Sequence, residues 1–167
     1  MTEESIRALA RKFLKKNDLN SFPVDVKKAA EIVGAMVIFQ KLPKISGVLL
    51  RGDHKDFPYI IGVNVEKSFY HRRFTIAHEI GHILLNHFKK FKILYDSDDF
   101  ILNSSQLERE ANIFASELLV PKDKLKSVLK LNPSMKGLCN FFQVSEQVMQ
   151  YRLKEILIIN SFVKFSQ

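Results

Sequence analysis

The sequence predicts an α+β fold, with helices packed around a small antiparallel sheet, and three observations predict it. Apolar residues recur at helical spacing at the start of the chain and again from Ser68 onward. Between those regions AMVIFQ (35–40), GVLLRG (47–52) and YIIGVNV (59–65) are β-branched or aromatic runs. PKIS and DHKDFP separate the runs and read as turns.

In chain order, Ile6, Leu9, Ala10, Phe13 and Leu14 give a first helix, which Asn17, Asp18 and Asn20 end. Val24 to Val33 fits a second short helix with Gly34 as its C-cap. The three strand-like runs follow. Helices are then expected at 68–88, 104–119, 121–131, 134–142 and 145–157, punctuated by Pro121 and Pro133. The interval 89–103, KKFKILYDSDDFILN, has no clear period and reads as a loop. A chain of 167 residues fits one domain: N-terminal helices over 1–34, the small sheet over 35–66, a helical region over 68–121, and a helical C-terminal part over 122–167.

Composition narrows the class. With 46% hydrophobic and 26% charged residues the chain is far from the disordered regime. Cys139 is the sole cysteine, so no internal disulfide forms, and its simplest role is a small buried filler. MTEESIRALARKF is charged and amphipathic, unlike a secretory signal, and no apolar stretch reaches the roughly 18 residues of a spanning helix. A cytoplasmic protein with no membrane partner is expected. The net charge is +8, with eleven basic against seven acidic residues over 1–56, seven against seven over 57–112, and eight against four over 113–167. Basic ends around a neutral middle suit an acidic partner or nucleic acid, and decide neither.

The neutral middle holds AHEIGHILLNH (77–87), an apolar run with three histidines and a glutamate. Burying such groups without partners costs several kcal/mol each, roughly 2–7 for a neutral polar group. His78-Glu79-Ile80-Gly81-His82 is H-E-x-x-H. On a helix His78 and His82 lie one turn and about 40° apart, so both imidazoles can reach one ion, while Glu79 borders the same site. His87, nine residues beyond His78, falls roughly on the opposite side and is a poor ligand candidate. The competing reading, two satisfied core histidines with Glu79 on a solvent strip, ignores the apolar residues on nearly every side of this helix.

Zinc needs a third protein ligand and, if catalytic, an open fourth position. No third histidine follows in a H-E-x-x-H-x-x-G-x-x-H pattern, so a carboxylate is expected from SQLEREANIFASELLVP (105–121). A helical wheel puts Glu108 at the border of the apolar face made by Leu107, Ala111, Phe114, Ala115 and Leu118, with Glu110 and Glu117 toward solvent. Glu108 is therefore the candidate third ligand and Asn112, beside it, a candidate hydrogen-bond donor to a ligand. The spacing Ser105-x-x-Glu108 also fits a capping box, which competes for the same carboxylate. Gly81 leaves bare backbone where a neighbouring element can come close.

RRFTIAHEIGHILLNH followed by EREANIFASELLVP resembles the ImmA/IrrE family of zinc metallopeptidases, whose members show FTxAHExxH and then an E-x-x-x-N segment running into FAxxLLxP. The match spans about residues 59–121 and includes the strand ending in Asn64. The resemblance implies zinc (Zn2+) held by His78, His82 and Glu108, with Glu79 as the catalytic carboxylate. Compact members look like anti-repressors of phages and integrative mobile elements, which cut a helix-turn-helix repressor and release transcription; others act in stress responses by similar cleavage. That biology comes from the resemblance alone.

Two features stay open at this level. The donor that stabilises the tetrahedral intermediate is not selected by spacing among Tyr59, Tyr70, His71, Tyr95 and His54, with His71 preferred because it lies nearly on the face of His78. Extended substrates commonly pair with a sheet edge, and Gly47, Val48 and Leu49 of GVLLRG form the candidate edge, equally readable as an ordinary edge strand. A rival class also exists. MKGLCNFFQVSEQVMQYRLKEI has a helix-turn-helix rhythm over 134–157, with Ser145 as N-cap, so Gln147, Gln150, Tyr151 and Lys154 could face DNA. Phe141, Phe142, Val144, Val148, Leu153 and Ile156 equally suit a packing face, and a protein that captures its repressor without cutting is the third reading.

Overall fold

The computed structural model describes residues 1–52, 55–87, 93–97 and 106–164, and for 93–97 and 157–164 the backbone alone. Helix α1 (Glu3–Lys16) starts where the Thr2 hydroxyl accepts the Ser5 N–H, carries Glu3 and Glu4 in its first turn and Lys15 and Lys16 in its last, and buries Ile6, Ala10, Phe13 and Leu14. That charge order matches the helix dipole. Helix α2 (Val26–Ile32) is capped by the Asp25 carboxylate, which accepts the N–H groups of Lys27 and Lys28. Gly34, at φ 75°, ends it and turns the chain into the sheet.

The sheet has strands β1 (Ala35–Gln40), β2 (Ile45–Arg51), β3 (Tyr59–Asn64) and β4 (Ile93–Ser97) in the order β1-β3-β2-β4. The α+β class is as expected, but the sheet is mixed: β3 inserts between β1 and β2, pairing parallel with β1 and antiparallel with β2. Burial agrees with the pairing: β2 and β3 each carry four buried residues in a row, which suits the two interior positions, whereas β1 carries one. The expected loop 89–103 contributes β4, antiparallel to β2. Strand β2 is therefore paired on both sides and is no edge, which corrects the reading of Gly47, Val48 and Leu49 as an edge strand.

Helix α3 (Phe69–Leu84), capped by Ser68, crosses the sheet, α4 (Gln106–Leu119) packs along α3, and α1 packs on α4. The last three helices, α5 (Lys122–Leu129), α6 (Met135–Phe142) and α7 (Glu146–Lys164), lie where the sequence places them, with α7 continuing past 157. Leu49, Ile61 and Val63 of the sheet, Ile76 and Ile80 of α3, Phe114 and Leu118 of α4, and Phe142 and Met149 of α6 and α7 belong to a single buried cluster. No helix among the described residues is long and apolar enough to cross a membrane.

Candidate metal centre

Helix α3 is buried continuously from Arg73 to His82, so its polar side chains must find partners inside the protein. His78, Glu79 and His82 are 2%, 1% and 1% exposed. The Nε2 atoms of His78 and His82 stand 2.9 Å apart. Glu108, from the first turn of α4, brings Oε2 to 3.1 Å from His78 Nε2 and Oε1 to 3.4 Å from His82 Nε2. Close approach of α3 and α4 makes this possible. A Cβ on Gly81 would lie 3.2 Å from the Ala111 carbonyl oxygen and 3.3 Å from its Cα, so a bare backbone lets α4 reach this close. Ser105 and His54 lie outside the described residues, so the capping-box alternative has no described partner.

The three groups suit a cation. An ion held tetrahedrally with arms of about 2.0–2.1 Å keeps its ligand atoms roughly 3.3 Å apart, close to the three separations here. Asn112 Oδ1 lies 2.9 Å from His78 Nδ1. An amide oxygen only accepts, so His78 Nδ1 carries the hydrogen and Nε2 offers its lone pair to the cluster. Burial pushes the His82 imidazole down to about 4, against the pull of the neighbouring Glu108 carboxylate, so the ring is neutral near pH 7. Burial acts to raise Glu108, but the neighbouring His78 and His82 outweigh it and hold the carboxyl well below the usual range. Two imidazoles and an ionised carboxylate form a donor set that zinc accepts.

Glu79 projects beside this cluster toward β2, where a Cβ on Gly47 would sit 3.4 Å from Glu79 Oε1 and would overlap the Thr75 methyl group. Gly47 thus borders the site through its missing side chain. The register of β2 against β4 shifts between Ile45 and Gly47, and this irregularity surrounds Ser46, whose buried Oγ lies 2.7 Å from His71 Nε2. His71 is two helical turns, about 10 Å, along α3 from His78, beside β2 rather than within the cluster. Val48 and Leu49 lie further along β2, buried. Of the other donor candidates, the Tyr70 hydroxyl donates to Asn140 Oδ1 (3.2 Å) on α6, and Tyr59 opens β3 opposite Ala35.

Three residues escaped the helical wheel. His87, 4% exposed, has Nδ1 2.8 Å from His82 Nδ1 and Nε2 3.2 Å from Glu110 Oε2. Glu110 and Glu117, expected toward solvent, are 9% and 0% exposed. Helix α4 is covered on more than one side, by α3 and by α1, so it has no broad solvent face. A charge pattern on a single helix does not reveal a second covering element. The one sequence signal was a third histidine in an apolar run.

The sequence profile of the IrrE N-terminal-like domain, peptidase M78, matches residues 30–154. The chain belongs to this family. The ImmA/IrrE resemblance of the motifs therefore holds for most of the chain, and the chain is a member of a metallopeptidase family. It is 27% identical over 161 residues to Metallopeptidase ImmA of Bacillus subtilis (strain 168), covering 93% of this chain and 88% of that protein. A solved Mycobacterium tuberculosis transcriptional regulator shares the fold with a TM-score of 0.61 at 13% identity; the match covers 90% of this chain and 46% of that one. Membership implies a metal, and His78, His82 and Glu108 form a group able to hold one.

Proposed function

We propose that this protein is a zinc-dependent endopeptidase that hydrolyses a peptide bond of a helix-turn-helix transcriptional repressor in the cytoplasm, acting as an anti-repressor. The observation that carries the catalytic part is the convergence of two imidazole Nε2 atoms and the Glu108 carboxylate on one buried point, with the Glu79 carboxylate alongside. His78, His82 and Glu108 would hold the zinc, with Asn112 orienting His78. Bound there, zinc would supply Lewis acidity, lowering the pKa of water toward about 7 and polarising a scissile carbonyl. Glu79 takes the proton of the attacking water as its oxygen bonds to the carbonyl carbon, then delivers it to the amide nitrogen as the C–N bond breaks.

The sheet supports a reading of the substrate's path. Asp96 of β4 is opposite Gly47, which borders Glu79, so a peptide extended along the outer side of β4 would run past the reacting carboxylate. Gly47 then keeps the floor of the groove open, and the His71–Ser46 pair flanks it further along α3.

The segment 134–157 has the geometry of a helix-turn-helix: Gln143 is left-handed (φ 51°) and Ser145 Oγ accepts the Val148 N–H. Its chemistry favours packing over DNA. Val148, Met149, Arg152 and Ile156 are buried, and among Gln147, Gln150, Tyr151 and Lys154 only Lys154 is basic. Phosphate binding needs several free cations. We assign the segment to the peptidase domain and read residues 1–167 as one unit.

The deciding experiment is the intact mass of a helix-turn-helix repressor encoded beside this gene, co-expressed with wild type or with Glu79→Gln. Two fragments with wild type only are expected, and general acid–base loss should slow cleavage by about 10²–10⁴-fold. A repressor left whole by wild-type protein but co-purifying with it would overturn cleavage in favour of capture. Salt-sensitive retention of duplex DNA by the purified protein would restore the DNA-binding reading.

A further inference from the structure

We propose that His87 and Glu110 are positioning residues: a hydrogen-bonded imidazole–carboxylate pair that fixes His82 in the tautomer able to bind metal. The proposal rests on the metal-centre reading above. Proton positions follow from what each atom can do. The Glu110 carboxylate only accepts; its Oε1 is held by Gln106 Nε2 (3.0 Å) and the α-amino group of Met1 (3.1 Å), and its Oε2 lies 3.2 Å from His87 Nε2. His87 Nε2 therefore carries the hydrogen. A neutral imidazole so protonated has its lone pair on Nδ1, and that atom lies 2.8 Å from His82 Nδ1. His82 Nδ1 must then donate, which leaves the lone pair of His82 Nε2 directed at His78 and Glu108. With both rings neutral, any other arrangement along Glu110–His87–His82 sets two lone pairs or two N–H groups face to face, and the lone pairs that then meet at His78 Nε2, His82 Nε2 and Glu108 are the ones a cation would take up.

The two histidine ligands are thus oriented by different means. His78 donates directly to the Asn112 amide, whereas His82 reaches a carboxylate only through a second imidazole. The backbone explains how His87 arrives there. Helix α3 stops at Leu84, Leu85 closes it, and Asn86 takes a left-handed φ of 62° with its N–H on Ile83 O (3.0 Å). That turn folds the chain back and brings the ring of His87 to 5.0 Å from that of His82, centroid to centroid. Continued as a helix, residue 87 would point about 140° away from residue 82.

The test is zinc affinity, read by competition with a chromophoric chelator, for wild type, His87→Phe, His87→Asn and Glu110→Ala. Partners of this kind typically contribute 10–100-fold to metal affinity. His87→Phe and Glu110→Ala should weaken binding by that factor. His87→Asn keeps an acceptor near the position of Nδ1 and should recover most of it, which a purely space-filling role would not. Equal affinity in wild type and His87→Phe, or Asn as weak as Phe, would overturn the proposal, while loss of binding in Glu108→Ala would show that the zinc measured is held at the metal centre. Zinc affinity that survives His82→Ala would instead sink the metal-centre reading. Long-range ¹⁵N correlation spectra of the wild-type histidines give a readout independent of any variant's folding: Nδ1–H at His82 with Nε2–H at His87 supports the relay, and the opposite pair refutes it.

Discussion

Gly47 and Gly81 occupy the two tightest places around α3, and each makes a prediction at the scale of one methyl group. Gly81→Ala gains up to about 1 kcal/mol of helix propensity. It also places Cβ 3.2 Å from the Ala111 carbonyl oxygen, and because Ala111 is helical backbone α4 must move as a unit. Overpacking of this kind costs about 1–3 kcal/mol. We expect a net loss of about 1 kcal/mol in urea denaturation together with weaker zinc binding, since Glu108 and Asn112 sit on the displaced helix. Gly47→Val should act on chemistry more than on stability. Its side chain would collide with Thr75 and crowd Glu79. Cleavage should fall at least tenfold with zinc affinity within about threefold of wild type, a comparison made by fragment yield and chelator competition. Comparable losses in both would mean that Gly47 only spaces the fold.

At the scale of elements, buried charge joins α1, α4 and α7. Glu117 Oε2 lies 2.5 Å from Arg152 Nη2, and its Oε1 accepts from Arg11 (3.0 Å) and the Lys122 N–H (3.0 Å). Arg152 also donates to the Val120 carbonyl (3.0 Å) and pairs with Glu155, which in turn pairs with Arg7. Removing one partner of such a pair costs about 3–5 kcal/mol, because the other charge stays buried. Arg152→Met should therefore destabilise by about 3 kcal/mol in denaturant melts. Glu117→Met combined with Arg152→Met should recover part of that loss, and a double variant no more stable than Arg152→Met would argue against this account. The same network places α7 in the structure of the metal-bearing helices and takes Arg152 out of reach of a phosphate. A smaller clamp acts at β2: the Asn64 side-chain amide donates to Leu42 O (2.7 Å) and Ile45 O (2.9 Å), fixing the entry to the strand that carries Gly47.

For the molecule as a whole, the metal centre couples stability to pH. In metal-free protein His82 has its folded pKa lowered from 6.5 to about 4, so below pH 6.5 the unfolded chain binds more protons than the folded one. Stability then falls as pH drops from about 6.5 toward 4. Glu108, also lowered, adds loss in the same direction below its ordinary value of 4.5. We expect the melting temperature of chelator-treated protein to drop across this window, corresponding to on the order of 1–3 kcal/mol. Saturating zinc should stabilise the fold at pH 7 by about 2.7 kcal/mol at a hundredfold excess over Kd and so raise the melting temperature, and the gain should shrink toward pH 5 as ligand protonation competes. Thermal melts at three pH values with and without zinc check both slopes; a flat metal-free profile would contradict the burial of a neutral His82.

What the sequence by itself determined was local. H-E-x-x-H on a buried helix, the carboxylate on the border of α4's apolar face, Asn112 beside it, the α+β class and most helix boundaries are properties of residues within one or two turns of each other, where periodicity speaks directly. What only the tertiary structure decided depends on which elements touch. Strand order was such a case: three short runs suggested a small antiparallel sheet, and only the pairing of β3 with both β1 and β2 made it mixed. The partners of Glu110 and Glu117 were another, because a helical wheel shows one helix and not its neighbours. His87 was the third, since a single left-handed residue at Asn86 reversed the direction that helical extrapolation assigned to it. Spacing fixes direction only while the helix continues, and the environment of the metal centre begins where α3 stops.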